Sequence, residues 1–321
     1  MVYNTAAWFL QGVFRKRDDA MTWTAFILIF FSVFLHAAWN AISKSVKPSL
    51  AFYSIMTITA ALIWLPFLIF GRMNPFALPA KFWLLMFFSI AGEVIYMLGL
   101  ARGYSRGDIS LVYPVARALP VLMVPAVTFI FGLGTRRPDL CAYLGMLVIT
   151  IGCLIMPLKK LSDFSLKPYC DPVIGFIVLA AVGTTIYTIM DSISVGLIQE
   201  QTGRKNMLDI FSLMFFVEGG LSVGELLIVA FDRKERQILK SLLRQKNLYP
   251  YLAGCCSSVA YALVLMAMGF VSNVSYLQAF RQMSLPVGFF AGLLILKEKG
   301  TLPKYIGMFL IFAGLVCVAL G

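Results

Sequence analysis

Leu119-Pro120-Val121, an apolar run, a charged turn, then Tyr143-Leu144-Gly145-Met146 form a stretch that the chain repeats later. The second copy reads Leu285-Pro286-Val287, an apolar run, a charged turn, then Tyr305-Ile306-Gly307-Met308. Two matched phrases in the same order at similar distances mark an internal repeat. The apolar runs within them are long enough to cross a bilayer, which takes about 20 mostly apolar residues. Read outward from these phrases, the chain offers ten such runs, roughly 22–43, 50–71, 82–101, 109–133, 139–158, 172–198, 207–230, 250–270, 274–296 and 303–320. The repeat then pairs spans 4 and 5 with spans 9 and 10, so each copy holds five spans. Five is odd, so two tandem copies enter the bilayer in opposite directions. Secondary transporters use this inverted-repeat layout, with the substrate near mid-membrane where the copies meet.

Composition agrees with a lipid solvent. The 321 residues are 60% hydrophobic and 13% charged, with a mean hydropathy of +0.86. Soluble domains run at about 45–50% apolar and about 25% charged. A soluble enzyme, a nucleic-acid-binding domain and a disordered chain are thereby excluded. Spans without period-two alternation exclude an outer-membrane barrel. The net charge of +12 sits mostly in short loops, where it meets anionic headgroups. Six cysteines without a CxxC pair indicate neither a disulfide framework nor a zinc site. With one His, no DxxD and no HExxH, the chain has little equipment for a membrane enzyme. The expected class is an all-α integral membrane protein of ten transmembrane helices. Its parts are an N-terminal extension (1–20, interfacial or an over-called start before Met21), a first repeat (21–160) and a second repeat (171–321). An even span count puts both termini on one side. Loops on that side carry nine Lys and Arg against sixteen on the other, so the positive-inside rule favours termini outside.

Ionised side chains at the bilayer centre cost from about 2.5 to over 10 kcal/mol, so those found there are functional candidates. Five lie well inside spans: Glu93, Arg117, Asp191, Glu218 and Arg281; Glu225 lies nearer an end. Helical spacing adds polar neighbours on the same faces. These are His36 with Asn40, Tyr96 with Glu93, Tyr113 with Arg117, Tyr187 with Asp191, and Gln278 with Arg281. All eleven are pathway candidates. The competing reading makes the acids structural ion-pair partners of Arg117 or Arg281. His36 serves either as a proton relay or as a bond to a neighbouring helix, and Trp39 fits an interfacial aromatic belt. Pro114, Pro120 and Pro125 permit a kink in span 4. Gly220/Gly224 and Gly288/Gly292 have the spacing of close helix contacts.

Several of these stretches resemble a known family. His36, Trp39, Asn40 and Lys44 close span 1. Arg106-Gly107-Asp108-Ile109-Ser110-Leu111-Val112-Tyr113-Pro114 runs on to Arg117. Tyr187 and Asp191 lie in span 6, and Arg281, Pro286, Glu298 and Gly307 to Gly314 close the chain. Together they resemble the ten-helix EamA branch of the drug/metabolite transporter superfamily, over nearly all of Met21 to Gly321. The resemblance implies a secondary carrier in the cell membrane, with proton-coupled efflux of amino acids, related metabolites or drugs. The expected partners are a small-molecule substrate, the coupling proton and the bilayer. Nucleic acid and cofactors are not expected, and a homodimer is left open. A lipid-linked or nucleotide-sugar cargo is the alternative, with the basic Arg233–Lys246 run as its mark. One stretch departs from the family. After span 4 the chain reads Phe131-Gly132-Leu133-Gly134-Thr135, without the acid that the second copy keeps as Glu298.

Overall fold

The computed structural model describes residues 20–46, 49–70, 74–106, 109–158, 160–161, 173–202, 207–294 and 300–321. The expected extension falls, except for Ala20, outside the described residues, as do Asp108 and Glu298. The helices are α1 (Trp23–Ser45), α2 (Leu50–Phe70), α3 (Ala80–Arg106), α4 (Ile109–Ile130), α5 (Leu140–Ile155) and α6 (Val173–Thr202). They continue as α7 (Met207–Phe231), α8 (Arg233–Arg244), α9 (Tyr249–Met268), α10 (Val274–Phe280), α11 (Ser284–Leu294) and α12 (Leu302–Leu320).

Seven of these are long and apolar enough to cross a membrane among the described residues: α1, α2, α3, α6, α7, α9 and α12. By the length and composition of its helices, the protein is an all-α, multi-pass membrane protein. Its surface fits lipid. Phe31, Phe70, Phe87, Phe129, Phe131 and Phe309 are exposed, while Glu93, Asp191, Glu218, Glu225, Arg117 and Arg281 are buried. A soluble protein sorts these residue types the other way.

The other three expected spans are α4, the shorter α5, and the region 274–294. That last region departs from an uninterrupted helix. It breaks at a 3-10 turn, Arg281–Met283, between α10 and α11. Pro286 supplies the reason, because it has no N–H for the carbonyl four residues back and its ring crowds that carbonyl. Span 4 shows the opposite outcome: α4 runs on through its prolines as one helix. The basic run after α7 also departs from a loop and forms the short helix α8.

The main helix contacts are α3 with α6, α5 with α12, α2 with α7, and α1 with α9. Glycines set two of these crossings, with Gly92 and Gly183 between α3 and α6 and a second set between α5 and α12. A Cβ on Gly145 would sit 2.6 Å from the Gly314 carbonyl oxygen, and one on Gly152 would sit 2.7 Å from that of Gly307. The numbers run in opposite directions, so α5 and α12 are antiparallel, with backbones close enough for carbon-bound hydrogens to meet carbonyls. The turn after α4 uses Gly132 and Gly134 at positive φ. It docks on the start of α10, where Asn273 Nδ2 donates to the Leu133 carbonyl at 3.0 Å.

Candidate functional site

Six of the eleven candidates line one cavity: His36 on α1, Glu93 and Tyr96 on α3, Tyr187 on α6, Glu218 on α7, and Arg281 at the helix break. Glu93 stands at the midpoint of α3 and Glu218 close to that of α7. The cavity volume is about 50 Å³, room for roughly four waters at about 10–15 Å³ each. A second, smaller cavity of about 10 Å³ lies beside it, lined by Arg117 and Gln278 and sharing Tyr96 and Tyr187. The Tyr96 and Tyr187 rings meet edge to face, 5.8 Å apart, and belong to the walls of both spaces.

The two arginines are held differently. Arg117 Nη2 donates to the Arg281 carbonyl at 2.7 Å and to Ser284 Oγ at 2.9 Å. It thereby adds a donor at the helix break, where the regular ladder fails. Arg281 is only loosely engaged. Its closest side-chain acceptors are Gln278 Oε1 at 3.4 Å and Tyr187 Oη at 3.5 Å. It stands over the Tyr261 ring at 6.0 Å and lines the larger cavity.

The acids do not pair with these cations. Between described residues the one ion pair is Arg102–Asp232, which joins no cavity residue. Glu93 and Glu218 have no hydrogen-bond partner among the described residues, and each keeps 6% of its surface open. Asp191 is wholly buried behind the wall. Its carboxylate accepts from Ser89 Oγ at 2.5 Å and from the Tyr261 hydroxyl. Tyr261 lines the cavity, so Asp191 reaches it through that phenol.

His36 sits between two donors. Arg117 Nη1 lies 2.8 Å from Nε2, and Trp39 Nε1 lies 3.1 Å from Nδ1. An indole N–H and a guanidinium only donate, and a neutral imidazole accepts at one nitrogen alone. Either tautomer therefore makes one of the two hydrogen bonds, not both. Trp39 is buried in the cavity wall, 3% exposed, and so is not an interfacial belt residue; α9 packs against α1 there. Asn40 turns back onto its own helix and donates to the His36 carbonyl at 2.8 Å. The Tyr113 side chain lies outside the described residues.

Several residues at or behind the cavity wall lie outside the eleven candidates. Ser89 precedes Glu93 by one helical turn, and the same spacing rule finds it. Glu225 follows Glu218 by two turns. It is wholly buried, and its Oε2 accepts from Thr57 Oγ1 at 2.7 Å, while Thr57 lines the cavity. Tyr261 and Ser257 sit in an apolar run with no charged neighbour, so only the packing of α9 against α1 brings them in.

No protein-family model matches the chain. No curated protein matches it either. A solved structure described as "Crystal structure of protein" is similar, with a TM-score of 0.65 and 14% identity over 92% of this chain and 96% of that one. At that identity the likeness concerns the fold alone.

Proposed function

We propose that this protein is a secondary active carrier in the cell membrane. It exports small polar metabolites, amino acids or related compounds or drugs, in exchange for protons by alternating access. The observation that carries this reading is convergence. Glu93, Glu218, His36 and Arg281 come from separate elements and line one cavity, in a chain whose lipid surroundings tolerate no bare charge. Arg281, paired with no acid, is suited to hold a carboxylate. Glu93 and Glu218, paired with no cation, are suited to take an amine or a proton in turn.

The reading includes ten crossings in two oppositely inserted five-helix units, and the helix contacts support it. Under the sequence repeat, α1 corresponds to α6, α2 to α7, α3 to α9, α4 to the α10–α11 pair, and α5 to α12. The contact of α1 with α9 then becomes that of α6 with α3, and α2–α7, α4–α10 and α5–α12 map onto themselves. The glycines obey the same rule: Gly145 corresponds to Gly307 and Gly152 to Gly314, and the Gly145–Gly314 contact becomes Gly307–Gly152. Cavity residues come from both units, as a site between rocking halves requires. The EamA resemblance and the loop charge, which favours termini outside, support the same picture.

The test is flux in proteoliposomes with an imposed pH gradient, across a panel of amino acids and drugs. At least one compound moves only when the gradient is present, and Arg281→Ala and Glu93→Gln each lower that flux at least tenfold. No gradient-dependent flux for any compound overturns the reading.

A further inference from the structure

The basic helix α8 is unexplained by the cavity. Asp232 caps it, its side chain accepting from Lys234 N at 2.9 Å, and Arg102 Nη2 donates to the other oxygen of Asp232 at 2.8 Å. Glu235, the sole acid within α8, turns inward and accepts from the Ala51 backbone N–H at 2.9 Å. Leu239 and Leu242 turn inward with it, against the apolar cluster that holds Leu50, Phe52 and Tyr53. The opposite arc carries Arg233, Lys234, Arg236, Lys240 and Arg244, all exposed. Arg236 donates to the Ala230 carbonyl at the end of α7. The other four side chains have no ion pair or hydrogen bond among the described residues. Phe231 and Leu248 flank the helix at 88% and 69% exposure.

The helix docks its apolar face on the bundle and turns outward an arc of one sign beside exposed apolar residues at both ends, and basic clusters next to a spanning helix attract anionic headgroups. We propose that α8 lies in the headgroup layer and that its outer arc is a docking surface for anionic phospholipid. The partner is chosen by charge: no acid on the outer arc offsets its five cations, and the flanking Phe231 and Leu248 reach the acyl boundary beside them. Polybasic segments at a membrane surface gain from each Lys or Arg in this way. The inference is independent of the carrier reading, since it concerns lipid and not cargo.

The test is lipid retention by the purified full chain, read by native mass spectrometry from micelles doped with phosphatidylglycerol or phosphatidylcholine. The protein retains phosphatidylglycerol about tenfold over phosphatidylcholine, and millimolar inorganic phosphate does not displace it. In the variant R233Q/K234Q/K240Q/R244Q the preference falls below about twofold. Arg236 is kept because it closes the end of α7. The double variant K240Q/R244Q, away from the Asp232 cap, guards against misfolding of the first and loses about threefold. Equal retention of both lipids by the unaltered protein overturns the proposal, as does a preference unchanged in the double variant. Displacement of the lipid by phosphate overturns it in favour of a free-phosphate site.

Discussion

At the scale of residues, the two arginines separate into different jobs. Arg117 bonds the Arg281 carbonyl and Ser284 at the helix break. Its loss removes two buried hydrogen bonds from a charged donor, each worth about 1.5–3 kcal/mol. Arg117→Ala is expected to lower the thermal midpoint in detergent as well as transport. Arg281→Ala is expected to abolish transport with the midpoint nearly unchanged. Equal midpoint losses in the two variants contradict this division. The acids invite a second comparison. Glu93→Gln keeps the shape of a side chain that has no partner to lose, so the fold stands while proton-driven flux fails. Asp191→Asn instead replaces one carboxylate acceptor with an amide donor facing Ser89 or Tyr261, and is expected to lower stability as well. The charged members of this set are legible in the sequence because an ionisable residue inside an apolar run is costly and rare. Thr57 and Tyr261 are not legible, since a hydroxyl in such a run carries little cost and its role depends on which helix lies opposite.

At the scale of elements, proline and glycine decide where helices break and how closely they cross. Three prolines in span 4 permit a kink and leave α4 one continuous helix, whereas the region 274–294 is interrupted at Arg281–Met283, ahead of the single Pro286. At that break Arg117, from α4, and the Ser284 hydroxyl, three residues on, both donate to the Arg281 carbonyl. Pro286→Ala restores the missing N–H and is expected to draw α10 and α11 into one helix. Transport then falls as Arg281 leaves the cavity, while stability is kept or rises. The α5–α12 crossing has no room for side chains. Gly145→Val overpacks it and is expected to cost about 1–3 kcal/mol or more, read as a lower thermal midpoint. The helix α8 hangs on Asp232, whose carboxyl is held below the usual carboxylate range chiefly by the hydrogen bond from Arg102. A lowered value means the contact is present at neutral pH and is lost only as acid protonates the group, below about pH 4. Hydrogen exchange of α8 should therefore be flat from pH 7 to 5 after correction for intrinsic rates, and raised throughout that range in Asp232→Ala. The helical pattern of α8 is present in the sequence, with Leu239 and Leu242 three residues apart and Asp232 ahead as a cap, but it is too short and polar to stand out beside the apolar spans.

At the scale of the whole molecule, the repeat of Leu-Pro-Val and Tyr-X-Gly-Met finds a counterpart in the contacts. Under the proposed pairing of units, helix pairs and glycine pairs exchange with one another. The polar cavity then draws its walls from both units, with a volume of about 50 Å³. A carrier must also open to each side in turn. Ser257 lines the cavity without a charge to lose, and makes a reporter that needs no knowledge of the cargo. The measurement is labelling of Ser257→Cys, in a background freed of the six native cysteines, by a membrane-impermeant maleimide added to either face of proteoliposomes. Alternating access predicts modification from both faces, with the ratio of the two rates shifted by an imposed pH gradient. Modification from one face alone, whatever the gradient, would contradict it.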